Sequence, residues 1–409
     1  MSLGRGFFVL WSANALSNLA DGLAFVSMPL LAASMTDDPR LVAGMATLYA
    51  LVRLLVTLPI GVWVDRFDRR TLLVAANILR GIALVGLALT IQFGLSSLVL
   101  LYSTMAIVAT FESLADNAAV AVLPSLVKKD RLDSANARIS AAQLIADEFA
   151  GPPLGGMLFA LAASIPVFAM GGLWALAGVV ALALPIRRKE DSTDVVIASR
   201  QSVLAEACEG IVWLKHHRVV GSLALIGALA SVCYMLPFSI LVLFAQDNLG
   251  LNGSGYGLLL AFSALGGLLG SFLAPRLRNR FGYRSTIAAS LALGAVTLGG
   301  LAFTTNPIIA GVLLALYILH AVVWNICSLS LRQRLVPDNL LGRVSAAARV
   351  LGLLGLAIGS ALGGVLGTVD LALPVALGGV LFLGCCFAAM VTLRGELVPD
   401  DRLPTSPRF

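Results

Sequence analysis

Seven ionisable side chains interrupt otherwise apolar stretches in the first half of the chain. They are Asp21, Arg53, Arg80, Glu112, Asp116, Asp147 and Glu148. An ionised group in an apolar medium is costly unless it is paired or faces water. The four-residue spacing of Glu112 and Asp116 puts both carboxylates on one helical face, where they repel unless an arginine or a proton comes between them. Two chemistries fit such a set. In the first, Asp21, Glu112, Asp116 and Glu148 exchange protons and their charge competes with that of a cationic solute. In the second, Arg53 and Arg80 neutralise the acids in a fixed lattice that holds the first half rigid. Asp147 is read as structural in either case.

The elements that must position these groups are spanning helices. Of 409 residues, 59% are apolar and 12% charged, and the mean hydropathy is +0.94. A water-soluble fold has nowhere to hide that much apolar surface. Crossing about 30 Å of hydrocarbon takes roughly 20 helical residues, and continuous runs of that kind recur along the sequence. The runs do not alternate, which excludes a closed barrel. The first run, 7–33, is too long for the core of a signal peptide. Breaks at turn residues and charges predict helices at 7–33, 41–64, 71–92, 96–124, 133–162, 164–186, 219–246, 254–275, 283–303, 307–334, 340–367 and 369–393.

Charge gives the expected orientation. Of the 28 Lys and Arg, 23 lie at the two ends of the chain or in every second connection, and the alternate connections carry only Arg40. The positive-inside rule then puts both termini and the long central connection in the cytoplasm, which requires an even number of helices. This distribution also accounts for the net charge of +6 without a nucleic-acid partner. The expected organisation is a six-helix bundle at 1–186, a linker at 187–218 with an amphipathic helix from Ser202 to His217, a second bundle at 219–394 and a tail at 395–409. The halves look like repeats. At an offset of 209, Gly61 corresponds to Gly270 and Leu126-Val127 to Leu335-Val336, and near it Gly155-Gly156 corresponds to Gly363-Gly364. Duplication of this kind goes with secondary transport, the substrate path lying between the halves.

Two motifs are more specific. The stretch Gly61, Asp65, Arg66, Arg69 and Arg70, at the end of the second helix and in the turn after it, resembles the loop motif of the major facilitator superfamily. Asp68 stands where that family often has Gly. In the second half Ala274 replaces the acid, so any charged latch at this end is one-sided. Gly151-Pro152-Pro153-Leu154-Gly155-Gly156 is similar to the core of the superfamily's antiporter motif, although Asp147 occupies one position expected to be Gly. The run from Glu112 to Asn136 resembles the drug and siderophore exporter branch.

The resemblance implies an all-α membrane protein of twelve helices in two pseudo-symmetric six-helix bundles. It implies a secondary exporter of small amphiphilic molecules, multidrug in type, running on proton antiport without a bound cofactor, in a bacterial cytoplasmic membrane, as a monomer among lipids. It also implies that the first and fourth helices line the central path. Export of one dedicated siderophore, lipid precursor or other metabolite is the alternative. A non-transporting sensor or lipid-handling protein is the alternative of a different class.

The second half has no acid at membrane depth. Its candidate substrate wall is Tyr234, Met235, Phe238, Phe262, His320, Trp324 and Asn325. Each of these is as readily a packing or lipid contact, and a lone His is more often packed than a proton relay. Cys208, Cys233, Cys327, Cys385 and Cys386 lack metal-ligand spacing and read as packing residues. No phosphate-binding loop, metalloprotease His-Glu pair or nucleophile elbow occurs, so neither direct ATP drive nor enzymatic activity is expected. Gly253-Ser254-Gly255 reads as a helix-opening turn.

Overall fold

The computed structural model describes residues 3–128, 131–185 and 203–393, without the side chains at 57, 58, 61, 62, 65, 203–208, 338 and 339. The described chain is helical. The first half contains α1 (Arg5–Met35), α2 (Pro39–Arg66), α3 (Arg69–Gln92), α4 (Leu98–Leu126), α5 (Leu132–Gln143), a π-helical segment (Leu144–Ala150), α6 (Gly151–Leu161) and α7 (Ser164–Ala181). A surface helix, α8 (Val203–His216), precedes the second half. That half contains α9 (Arg218–Phe238), α10 (Leu241–Asp247), α11 (Gly253–Phe303), α12 (Pro307–Leu335), α13 (Asp338–Gly367) and α14 (Ala372–Thr392).

Among the described residues, ten helical stretches are long and apolar enough to cross a membrane. Two further spans complete the expected twelve. One is the α5–π–α6 unit, a single crossing broken in register. The other comes from α11, whose 51 residues are two helices meeting at Gly282 with φ 74°. That left-handed value is accessible to glycine and strained for other residues. The break falls later than the sequence predicts, because helix continues through Pro275 and Arg276 to Phe281 and carries arginines out of the hydrocarbon to the polar layer. The predicted helix 219–246 is likewise interrupted at Ser239 and Ile240, just after Pro237, which cannot donate the backbone bond its turn needs.

Several of the described helix starts are capped by side chains. Asp38 accepts from the Arg40 amide, Ser97 from Leu100, Asn252 from Gly255 and Asn306 from Ile308. Asp38 also takes side-chain hydrogen bonds from Arg40, which hold its carboxyl below the usual range. Asp68 caps α3 by accepting from Thr71, which gives the acid at this turn a local role. A Ser or Asn cap of this kind contributes about 1 kcal/mol. Of the expected linker and tail, 187–202 and 395–409 lie outside the described residues. Within 203–218, α8 packs on the start of α13, where Glu209 pairs with Arg343 at 2.6 Å and Leu214 joins Val344 and Ala347 in a small core.

The halves meet at the end of the bundle remote from α8. There α2 lies on α13, with the hydroxyls of Thr47 and Ser360 2.8 Å apart. On the other side of the seam, α6 lies on α11, where a Cβ at Gly156 would sit 2.4 Å from the Gly253 carbonyl. One apolar core runs across this seam from Leu30, Leu31 and Val42 into Val242 and Phe244. At the α8 end the first half keeps a separate core around Phe7, Leu10, Leu73 and Leu123, which among the described residues includes none from the second half. The bundle is therefore closed at the far end and parted at the α8 end. Ser360→Ala removes the hydroxyl bridge and should lower stability by about 1 kcal/mol, read as a reduced unfolding temperature in detergent.

Candidate functional site

Where the halves part, a cavity of about 300 Å³ reaches towards the middle of the bundle. Its first-half wall carries Asp21, Tyr49, Glu112 and Asp147. Its second-half wall carries Tyr234, Met235, Phe238 and Tyr256, and Met28, Met45 and Met105 add flexible apolar surface. A smaller compartment of about 250 Å³ adjoins it, sharing Phe25, Asp147, Tyr234 and Phe238, and adds Glu148, Ser263 and Ile318.

The acids fall into three kinds. Asp21 is paired with Arg80 at 3.4 Å. Arg80 is fully buried; it donates to Asn77 at 2.7 Å and to Ser17 at 3.0 Å, and lies 4.7 Å over the Trp174 ring. Glu112 is paired with Arg53 at 3.2 Å and accepts from the Tyr49 hydroxyl at 2.5 Å. Asp116 reaches Arg53 only at 4.0 Å and its side chain is 59% exposed. For Asp21 and Glu112 the ion-pair lattice expected of Arg53 and Arg80 is thus present.

Asp147 and Glu148 belong to the third kind, since neither has an ion pair among the described residues. Both stand on the π-helical segment. Pro152 and Pro153 have no N–H, so the carbonyls four residues back lose their helical donors, and Gly151 donates instead to Ala146, five residues away. The wider turn packs tightly on α1: a Cβ at Gly22 would meet the Asp147 carbonyl at 2.5 Å, and one at Gly151 would meet Gly22 at 2.5 Å. Such bulges recur at functional sites. The antiporter-like glycines therefore serve close approach on two sides, with Gly151 and Gly155 against α1 and Gly156 against α11, where Pro152 also meets Gly257.

The structure gives the two acids of this pair different surroundings. Asp147, read as structural, is the acid that lines both compartments, whereas Glu148 lines only the smaller one and comes within 3.7 Å of where a Cβ on Gly267 would lie. Sequence reasoning missed this because a regular helix through 133–162 gives the wrong facing. The adjacent prolines were the available signal.

The expected second-half wall is partly corrected. Tyr234, Met235 and Phe238 line the cavity, and Tyr234 stacks on Phe238 at 4.4 Å. Phe262 does not: it is 46% exposed on the outer face of α11, on a stripe with Leu258, Leu265 and Leu269. His320 is also removed from the cavity. It is 1% exposed and packed between Tyr317 and Phe382 at 4.7 and 4.9 Å, with neither ring nitrogen hydrogen-bonded. Trp324 packs against the second-half core, near Gly227, and lines neither compartment. Asn325 is exposed and shares a helical face with Ile318 and Val322 of the smaller compartment.

Of the loop motif, Gly61 lies in the last turns of α2, the side chain of Asp65 lies outside the described residues, and Arg66 is exposed. Arg69 donates to the Ala121 carbonyl at 2.8 Å and Arg70 to that of Leu182, so these two fasten the end of the first half to itself. Cys233, Cys327, Cys385 and Cys386 are buried thiols, and Cys208 lies outside the described side chains. Among the described residues no His, Cys, Asp and Glu cluster has a metal-binding arrangement.

Comparison with known proteins agrees with this architecture. The family model described as Major Facilitator Superfamily matches residues 10–360 and 223–406. The enterobactin exporter EntS of Shigella boydii serotype 4 is 27% identical over 369 residues, covering 87% of this chain and 84% of the relative. That of Salmonella typhi is 27% identical over 371 residues, with the same coverage. Among solved structures, a bacterial homologue of the iron transporter ferroportin in an inward-facing state superposes with a TM-score of 0.76 at 19% identity, covering 97% of this chain and 100% of that one. The nucleoside transporter NupG gives 0.71 at 12%, covering 96% and 100%. At these identities the structural likeness concerns the fold alone.

Proposed function

The chain belongs to the Major Facilitator Superfamily, and from that premise we propose that this multi-pass membrane transporter is a proton-coupled exporter of small amphiphilic molecules. The observation that carries the reading is the cavity between the halves, where carboxylates of one half face an aromatic and methionine wall of the other. An amphiphile would place its apolar body on Tyr234, Met235 and Phe238 and a cationic end towards Asp147. The positive-inside orientation makes the α8 end cytoplasmic, so the parted halves correspond to an inward-open state. Rocking about the α2–α13 and α6–α11 seams would expose the cavity to the other side. Protonation there would cancel the carboxylate's attraction and release the solute.

Acids already held by arginine contribute mainly fixed charge. Asp147, without such a partner, is best placed to exchange a proton as access changes, with Asp116 and Glu148 as further sites of exchange. A second reading, a dedicated exporter of a siderophore or related metabolite, is favoured by the relatives named as enterobactin exporters.

Proton movement in reconstituted vesicles separates these readings. With a lumenal pH dye and an imposed gradient, a multidrug antiporter gives proton release on adding each of several lipophilic cations. A dedicated exporter ignores them and saturates with one compound. A non-transporting membrane sensor gives no solute flux of any kind.

A further inference from the structure

A second hollow, of about 330 Å³, lies in the second half away from the central cavity. It runs between α11 and α12, with Phe281, Thr286, Ala289, Leu293, Leu319 and Val323 among its walls. Positions 285, 289 and 293 repeat at helical spacing and lead on to Val296, which is 67% exposed, so the hollow opens on the outer, lipid-facing surface of the bundle. It begins beside the Gly282 corner at the α8 end and follows the helix for about 16 Å.

Two independent features specify its occupant. Arg276, Arg278, Arg280 and Arg284 cluster at the corner, yet the chain from Gly253 to Pro337 contains no Asp or Glu. Among the described residues none of the four forms an ion pair; the contacts of three are with the Phe272 carbonyl, Asn279, Tyr283 and the Phe281 ring. The other feature is Thr286, which lines the hollow at 4% exposure with its hydroxyl unpartnered, although nearby Ser290 bonds a carbonyl of its own helix at 2.8 Å. An apolar trough, a buried hydroxyl and guanidinium groups with no acidic partner among the described residues, all at one membrane surface, match the tail, ester and phosphate of a lipid.

We infer that this hollow binds one anionic phospholipid from the leaflet at the α8 end. The phosphate sits at Arg280 and Arg284, an ester oxygen accepts from Thr286, and an acyl chain lies along Ala289 and Leu293. A free phosphate would meet the arginines but leave the apolar trough without a function.

The test is native mass spectrometry of the full chain in detergent, with equal amounts of phosphatidylglycerol and phosphatidylcholine added. Retention of phosphatidylglycerol at about fivefold the level of phosphatidylcholine is expected. Arg280→Gln with Arg284→Gln should remove the excess, and Ala289→Phe should do the same by filling the trough from its exposed side without changing charge. Lys215→Gln with Arg218→Gln, an equal loss of charge at the same end of the bundle, should leave it intact. Equal retention of the two lipids, an excess that survives both trough variants, or its loss in the Lys215 and Arg218 variant would overturn the assignment.

Discussion

Arg80→Ala is expected to yield little folded protein. The guanidinium is buried, and it holds Asp21 at 3.4 Å, Ser17 at 3.0 Å and Asn77 at 2.7 Å while lying against Trp174. Its removal leaves Asp21 without a counter-charge and opens a void between α1, α3 and α7. Breaking a buried pair from one side costs about 3–5 kcal/mol, which is a large fraction of what a folded chain has to spare. The double variant Arg80→Met with Asp21→Asn leaves no lone charge and should recover folded, monodisperse material, as judged by gel filtration and thermal unfolding. If Arg80→Ala alone is as stable as the parent, the Asp21–Arg80 pair is not part of the scaffold.

Asp147→Asn should abolish substrate-driven proton movement, by at least about tenfold, while leaving the fold intact. The substitution is isosteric, and the carboxylate it replaces has no ion pair among the described residues, so no partner loses its counter-charge. It does remove the charge at the junction of the two compartments. Solute binding to the apolar wall should persist in part, because Tyr234 and Phe238 are untouched. Asp116→Asn provides the comparison, since that side chain is half-exposed and 4.0 Å from Arg53. Vesicle proton flux distinguishes the sites: loss in Asp147→Asn with retention in Asp116→Asn places coupling on the π-helical segment. The reverse result returns it to α4, and full coupling in both removes these carboxylates from the mechanism.

Much of the scaffold was legible in the chain. Apolar runs of spanning length and arginines confined to alternate connections need no tertiary information, because a bilayer imposes both on a single helix at a time. The duplication, with Gly61 answering Gly270, and the loop and antiporter motifs pointed to the family that the comparison then established. The presence of charge at membrane depth was equally plain, as was the need for Arg53 and Arg80 to answer some of it. Tyr234, Met235 and Phe238, named among seven candidate wall residues of the second half, do line the cavity. Phe262 and His320 of the same set do not; their types are as suitable for lipid contact and for core packing as for a pocket.

What the sequence determined by itself was therefore the solvent, the number of crossings, the orientation expected from the charges and the inventory of groups available for coupling. These follow from local properties, namely the transfer energy of each segment and the sign of each turn. Only the tertiary structure decided which acid meets which arginine, which of Asp147 and Glu148 faces the central cavity, and at which end the halves touch. Those outcomes depend on the facing of each helix against its neighbours. A single π turn before Pro152 and Pro153, fixed by the contact of Gly22 with Gly151, rotates that facing in a way no regular periodicity anticipates.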